Sequence, residues 1–344
     1  MIIFIFCLLL FMVYKAELAP IHLFHKDYLS HKNTTLINGV FVILVYLSHS
    51  SAKCNLNHAL DIPYISLKQH LLQLVVVTFL FYSGYGMCES MKRKSDYIQS
   101  IFKKRLPMLF IHFNIAIALY LLVQKMLGKT YGILHILKAS IGFSSVGNSN
   151  WYIFVILLLY IFMIVAGLLT KNKWIRVHIM TLLVMVYITV MIKMNMPTRF
   201  YNTVLCFNLG MYYSLLKDKI EAVVMKNQGT YLCCLFVSML LYWVCYRLKT
   251  THLIYYILWT FVFMNLVLLF SMKVKMNNPI IHWFGSNIFG IYILQRIPIN
   301  ILCSLKLQAY PYMFVMICLL LTVIMTILFN LCLKKVDHFI FERK

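Results

Sequence analysis

Acidic residues are scarce in this chain, which has nine Asp and Glu among 344 residues. All nine lie in predicted loops or at the ends of apolar runs, and none lies at the middle of a run. Ion-coupled carriers usually bind their ion through acidic side chains at that depth, and glycosidases need a pair of carboxylates. The scarcity therefore argues against a coupled transporter and against two-carboxylate glycoside hydrolysis.

Charge and patterned cysteines are also in short supply. Only 12% of the residues are charged and 62% are hydrophobic, whereas soluble domains carry about 25% charged residues. The ten cysteines are unevenly spaced and lie mostly within apolar segments, so we predict neither a disulfide framework nor a metal site. The composition indicates an integral membrane protein that interacts with the lipid bilayer.

The formal net charge of +23 comes from lysines and arginines in short loops between apolar runs. No zinc-ligand spacing, helix-turn-helix pattern or glycine-rich phosphate loop accompanies these residues, so we do not expect nucleic-acid binding. The positive-inside rule explains the basic loops instead, because cytoplasmic loops of membrane proteins carry an excess of Lys and Arg.

Apolar runs long enough to cross a bilayer are regularly spaced along the chain. They lie at about residues 2–14, 36–52, 70–88, 106–126, 150–169, 174–192, 200–216, 230–246, 252–271, 283–303 and 311–333. We therefore predict an all-α polytopic membrane bundle of about ten or eleven transmembrane helices. Residues 1–35 would form a short first span and a cytoplasmic linker, and residues 36–344 a single transmembrane domain. Residues 131–141 are predicted to form an interfacial helix.

Loop charge predicts the orientation of this bundle. With the N-terminus outside and the C-terminus cytoplasmic, 21 of the 32 Lys and Arg residues fall in cytoplasmic segments. Residues 92–105 make the strongest contribution, with six basic residues. The predicted location is the cell membrane, and this orientation puts Asn38 near the cytoplasm and His49 toward the exterior.

The run at residues 36–51 carries one amide near its start, Asn38, and one imidazole near its end, His49. Eleven positions separate them, about 16 Å along a helix, or about half of a hydrocarbon core about 30 Å thick. An ionisable side chain at such depth is costly unless it faces a polar cavity, so His49 is a functional candidate. The alternative is a histidine that hydrogen-bonds a neighbouring span.

Several further motifs follow in a characteristic order. They are a small-residue stretch at 81–86, the basic segment 92–105 followed by Leu106 and Pro107, Asn150 with Trp151 and Tyr152, the segment 207–211, and the segment 284–298. Together with residues 38–49, this order resembles the acyltransferase-3 family of multi-pass membrane acyltransferases, whose members commonly acetylate surface polysaccharides.

Two positions depart from the pattern of that family. Its first span typically has a basic residue eleven positions before the histidine, where this chain has Asn38. A later segment typically ends in a histidine, where this chain has Gln295 followed by Arg296. Neither Asn38 nor Gln295 can carry a charge, so we expect Arg296 to supply the charge that is missing.

The resemblance implies an acyl-CoA-dependent O-acyltransferase without a permanently bound cofactor. Its donor substrate would be acyl-CoA, in particular acetyl-CoA, and its acceptor the hydroxyl of an extracytoplasmic glycan or of a lipid-linked sugar. His49 would act as the general base, with His112 as a second candidate. The predicted donor-binding residues are Asn38, Lys104, Arg105, Gln295 and Arg296. The predicted cavity or oxyanion residues are Asn150, Trp151, Ser286 and Tyr292.

Two other functions fit part of the sequence. A carrier or polymerase of glycans or lipid-linked sugars would share the many spans, the basic cytoplasmic side and the aromatic cavity. A non-catalytic member of the family would account for Asn38 and Gln295. Donor binding separates the three, because only a transferase should bind acyl-CoA and also hydrolyse it slowly.

Overall fold

The structure is a computed structural model and describes residues 1–94 and 96–341. The helices are α1 (Ile2–Val13), α2 (His31–Ser51), α3 (Ile62–Leu71), α4 (Val77–Arg93), α5 (Tyr97–Ser100), α6 (Leu106–Met126), α7 (Ile133–Ser140), α8 (Trp151–Leu169), α9 (Lys173–Lys193), α10 (Leu205–Val224), α11 (Gln228–Leu248), α12 (Leu253–Lys273), α13 (Pro279–Ser286), α14 (Ile288–Leu294), α15 (Arg296–Ser304) and α16 (Pro311–Phe341). Short 3-10 segments occur at Ala59–Asp61, Leu72–Val76, Thr198–Phe200 and Leu307–Ala309, and a π-helical turn occurs at Ile101–Arg105. The predicted all-α class is confirmed.

By length and composition, eight helical stretches in the described ranges can cross a membrane. Ile2–Val13 and Ile288–Ser304 are shorter apolar helices. Each predicted span has a helical counterpart, and helix α7 lies where residues 131–141 were predicted to be helical. The orientation of the termini and the division at residue 35 stay predictions.

Polar side chains fix where several helices begin. The Ser30 hydroxyl accepts a hydrogen bond from the Asn33 amide at the start of α2, and the Asn278 side chain accepts one from the Ile280 amide at the start of α13. Such caps satisfy amide groups that have no partner within the first turn of a helix. Pro279 follows Asn278 as the first residue of α13, a position where proline costs no helical hydrogen bond.

Two of the predicted spans are interrupted. Residues 283–303 form parts of α13, α14 and α15, with breaks at Asn287 and Gln295. Pro298 contributes to the second break, because proline cannot donate to the Leu294 carbonyl and clashes with that turn. In the span predicted at 70–88, Leu72 has a φ of +40° and separates α3 from a 3-10 turn. Irregular backbone at membrane depth is expected where it lines a cavity.

Glycines let two pairs of helices approach closely. Gly39 of α2 packs against the backbone of α13, and Gly285 of α13 packs against the backbone of α2. Gly84 of α4 and Gly210 of α10 make the same reciprocal contact. Small residues at such crossings allow membrane helices to pack backbone to backbone. The first contact holds the helix that carries His49 against the interrupted tenth span.

The segment between α1 and α2 is tied to the end of α12. Strand β1 (Glu17–Leu18) pairs antiparallel with strand β2 (Val274–Lys275). Lys273 is 8% exposed, and its ammonium donates to the carbonyls of Pro20, Ile21 and Leu23 at 3.2, 2.9 and 2.8 Å. This cradle satisfies all three donors of a buried cation.

Candidate active site

A polar cavity of about 390 Å³ opens beside His49. It lies between the last turn of α2, helix α3 with the 3-10 turn that follows it, the loop before α8, and helices α14 and α15. We call it the His49 cavity. Its polar and aromatic lining residues are Ser48, His49, Lys68, Gln73, Ser145, Asn148, Ser149, Asn150, Trp151, Arg199, Tyr292 and Arg296. Of the predicted site residues, the structure brings together His49, Asn150, Trp151, Tyr292 and Arg296.

The His49 imidazole faces this cavity. Its Nδ1 is buried and has no hydrogen-bond partner within the ranges that the structure describes. The ring centroid lies 6.5 Å from that of Tyr292, and Gln295, Arg296 and Lys68 are within electrostatic range of the ring. Gln295 approaches the ring from a neighbouring span, as the alternative of a hydrogen-bonded histidine expects, while Nδ1 is unpaired among the described residues. A ring nitrogen remains available to a ligand.

Other polar atoms around the cavity are buried and unpaired as well. Those without a hydrogen-bond partner in residues 1–94 and 96–341 are Gln73 Oε1, Asn148 Nδ2, Ser149 Oγ, Tyr292 OH and Arg296 Nε. Buried polar groups in proteins almost always have partners, either in the protein or in bound molecules. Together with His49 Nδ1, these atoms give the residues of the cavity wall hydrogen-bonding capacity that the described residues leave unused.

Asn150 lines the cavity but does not offer it a donor. Its Nδ2 donates to the carbonyl of Gly142 at 2.8 Å and to that of Phe143 at 3.3 Å. The predicted oxyanion role of Asn150 is therefore corrected: this amide holds the loop before α8 in place. The neighbouring Trp151 does line the cavity, and its ring packs edge-on against Tyr152 at 5.9 Å.

Ser286 and Asn38 lie elsewhere. The prediction that Ser286 lines the same cavity as Tyr292 is wrong, because Ser286 is exposed and its hydroxyl donates to the His282 carbonyl at 2.9 Å. The Asn287 break changes the helical register between Ser286 and Tyr292. Asn38 is partly buried about three turns before His49 on α2 and is not among the cavity residues.

A second cavity, of about 460 Å³, lies at the other end of α8. It is enclosed by the end of α4, helix α5, the end of α8 and the start of α9. We call it the basic cavity, and its cationic lining residues are Lys92, Lys94, Lys171, Lys173 and Arg176. Within the described ranges, Asp96 is the only acidic residue that lines it. The arrangement suits an anionic ligand with several charges.

The residues predicted to bind the donor lie in different parts of the structure. The Arg105 guanidinium stacks over the ring of Tyr97, 4.9 Å from its centroid, and Tyr97 lines the basic cavity. Lys104 is exposed and is not among the lining residues, which corrects its assignment to this site. Arg296 lines the His49 cavity, whereas Gln295 is fully buried and interacts with His49 without lining that cavity.

Arg176 is the best placed cation of the basic cavity. One of its terminal nitrogens donates to the Thr170 carbonyl at 3.0 Å, and its Nε is buried without a partner among the described residues. Lys92, in contrast, is already paired with Glu89 at 2.6 Å and with the Ser214 carbonyl at 2.7 Å. The other terminal nitrogen of Arg176 donates to the Met91 sulfur at 3.2 Å, and no described carboxylate forms an ion pair with this arginine, so its positive charge is not neutralised.

A row of tyrosines runs between the two cavities along α8. The Tyr152 ring is 5.5 Å from that of Tyr292 at the His49 cavity. Tyr160, two turns further along α8, is within electrostatic range of Tyr152, of Tyr97 and of Arg105. Tyr152 and Tyr160 each keep some exposed surface. Helix α8 spans about 24 Å between Trp151 and Gly167, which line opposite cavities.

Sequence reasoning missed several cations of both sites. Lys68 and Arg199 line the His49 cavity, and Lys171, Lys173 and Arg176 line the basic cavity. Lys68 and Arg199 fall outside the segments that the charge count assigns to the cytoplasm. For Lys68 and Arg199 the sequence therefore offered one signal of a functional position. Both are exceptions to the positive-inside pattern, and an exception needs another reason for its position.

The fold and the two cavities define a multi-pass helical membrane protein with polar sites inside an apolar bundle. The chain belongs to the acyltransferase-3 family, because the model of the acyltransferase domain of this family matches residues 35–331. The resemblance inferred from the motifs is confirmed, and membership supports acyltransferase activity in general. Comparisons with curated proteins and with solved structures found no match.

Proposed function

We propose that this protein is a membrane O-acyltransferase that uses acyl-CoA, in particular acetyl-CoA. The acceptor is a hydroxyl of an extracytoplasmic glycan or of a lipid-linked sugar, and the protein resides in the cell membrane. The observation that carries the proposal is the His49 imidazole, whose buried Nδ1 has no partner among the described residues and faces a polar cavity in a chain of this family.

In the proposed mechanism, neutral His49 is the general base. It takes the proton of the acceptor hydroxyl while the hydroxyl oxygen attacks the carbonyl carbon of the thioester. The oxyanion that forms is stabilised by donors at the cavity, for which Tyr292 OH, Ser149 Oγ and Arg296 Nε are unpaired in the described ranges. The C–S bond then breaks, and the leaving thiolate takes the proton from the imidazolium. The ester and free CoA are the products.

The donor phosphates are proposed to bind in the basic cavity. With the N-terminus outside, this cavity opens toward the cytoplasm, where Arg176 and its neighbouring lysines meet the phosphates. The pantetheine arm then follows the tyrosine row of α8 toward His49. Arg296 lies at the thioester end of this path, so its contribution to donor binding is expected there and not at the phosphates.

Replacement of His49 tests the proposal. We expect His49→Ala to lower acyl transfer at least about 100-fold, because general base catalysis contributes about that much or more. The O-acetyl content of surface glycans and the release of CoA thiol by purified protein in nanodiscs would be measured together. His22→Ala, which changes an exposed histidine outside both cavities, is the matched control. Near-normal acetylation by a well-folded His49→Ala protein would refute the proposal.

A further inference from the structure

The His49 cavity carries three cationic side chains, Lys68, Arg199 and Arg296. No carboxylate lines it within the described ranges, and none of the three cations forms an ion pair with a described acidic residue. With 32 basic and nine acidic residues, unpaired cations are expected on the loops of this chain, but cations that line a cavity within the bundle need another reason for their position.

The three cations come from separate elements and converge on the same place. Lys68 belongs to α3 and donates to the Ser51 hydroxyl at 3.1 Å, Arg199 belongs to the Thr198–Phe200 turn, and Arg296 opens α15. Lys68 and Arg296 are within electrostatic range of His49, and Arg199 and Arg296 are within range of Tyr292. The cations therefore surround the group that is proposed to activate the acceptor.

Three like charges at one site repel one another, and the repulsion is stronger in a cavity partly shielded from water than in bulk solvent. The oxyanion of the proposed chemistry carries one negative charge and exists only during the reaction, so it cannot neutralise three cations in the resting protein. The donor phosphates do not account for it, because they have a basic cavity at the other end of α8. A bound anion at the His49 cavity would remove the repulsion, and arginine suits carboxylate and phosphate groups by its planar fork.

We infer that the acceptor is an anionic glycan, with a carboxylate or a phosphate close to the hydroxyl that receives the acyl group. The inference rests on the proposed function for the role of this ligand as the acceptor. Arg199 is the specificity residue at the mouth of the cavity, where it is exposed and contacts the anionic group. A neutral sugar would leave the three cations unpaired.

Binding to the full-length protein in nanodiscs tests the inference. The probes are glucuronic acid, glucose 6-phosphate and glucose, measured by calorimetric titration at low salt. We expect at least one anionic probe to bind about tenfold or more tightly than glucose, and the tighter of the two identifies the anion. Arg199→Gln should remove about tenfold of that affinity and leave glucose binding unchanged. Lys193→Gln, an exposed cation of α9 outside the cavity, is the control.

Three results would overturn the inference. The first is equal binding of all three probes, and the second is an anion preference that Arg199→Gln leaves intact. The third is competition between glucuronic acid and adenosine 3′,5′-bisphosphate, which would mean that the cations serve the donor. Release of CoA thiol in the His49 experiment is a separate readout. Turnover that depends on His49 without anion preference contradicts this inference alone, whereas absence of such turnover contradicts the proposed function.

Discussion

The contact between α4 and α10 makes a strong prediction about stability. A Cβ atom added to Gly84 would lie 2.9 Å from the carbonyl carbon of Phe207, and closer still to its oxygen. A Cβ at Gly210 would lie 2.9 Å from the amide nitrogen of Tyr85. Ordinary contacts of a Cβ fall at 3.4–4 Å, and the atoms in the way belong to the backbone of the other helix. No side-chain rotation relieves the clash, so the helices must move apart.

We expect Gly84→Ala to destabilise the protein by about 1–3 kcal/mol, the usual cost of overpacking a well-packed interior. Gly86 provides the matched control, because it lies in the same helix and a Cβ there meets nothing within 4 Å. Alanine also favours the helix over glycine, so Gly86→Ala should be neutral or stabilising by about 0.5–1 kcal/mol. The two substitutions are chemically identical and two residues apart, but we predict that only Gly84→Ala destabilises the protein.

Buried thiols provide the assay. Cys88 of α4 and Cys206 of α10 are free and buried, and they lie in the two helices that the substitution separates. A thiol-reactive fluorophore added to purified protein in detergent would report their exposure during a temperature ramp. Gly84→Ala should react at a lower temperature than wild type, and Gly86→Ala should not. Equal midpoints for Gly84→Ala and Gly86→Ala would refute the reasoning from backbone contact.

Three further predictions concern the basic cavity and the segment before α2. Arg176→Gln should raise the KM for acetyl-CoA about tenfold with little change in kcat in a thiol-release assay. Lys219→Gln changes an exposed cation of α10 outside the cavity and should alter neither constant. Lys273→Met leaves three carbonyls without their donor and should cost about 1–3 kcal/mol, which limited proteolysis of the segment before α2 would detect. The hydrogen bond from Lys275 lowers the pKa of the Asp27 carboxyl in the folded protein. The pair therefore stabilises the fold at any pH above the pKa that this carboxyl has in the unfolded chain. The stabilisation is lost as the pH falls through the pKa of the carboxyl in the folded protein. Because Asp27 is largely exposed, Asp27→Asn should cost at most about 1 kcal/mol at neutral pH, and its thermal midpoint should converge with that of wild type in acid.

The sequence was sufficient for the class of fold and for selecting His49 as a candidate. Long apolar runs leave few alternatives to membrane helices, since every backbone group in a bilayer must be hydrogen-bonded internally. An isolated histidine within such a run stands out for the same physical reason, the cost of burying an ionisable group. The spans and the functional candidate in α2 could therefore be predicted from hydropathy and residue type alone, and the family match at residues 35–331 agrees with the motif order.

The surroundings of His49 were harder to predict from the sequence, because they depend on how separate helices and loops pack together. Lys68 and Arg199 are more than 100 residues apart, and nothing local to either position shows that both reach one cavity. The error at Ser286 has a related cause: motif order placed it with Tyr292, but the break at Asn287 ends the helix between them. Hydropathy measures the length of an apolar run and does not detect such a break.

The positions of the two cavities constrain how one reaction could use both. Trp151 and Gly167 line opposite cavities and are separated by about 24 Å of α8. Phosphates held by Arg176 therefore cannot place a thioester beside His49 unless an extended arm of the donor lies along the helix. Tyr152 and Tyr160 lie along α8 between the two sites and are partly buried, and the proposed course of such an arm follows them. The basic cavity and the His49 imidazole can therefore take part in one reaction only if the donor is long enough to span the distance between them. An acyl-CoA is long enough, whereas a short acyl phosphate is not.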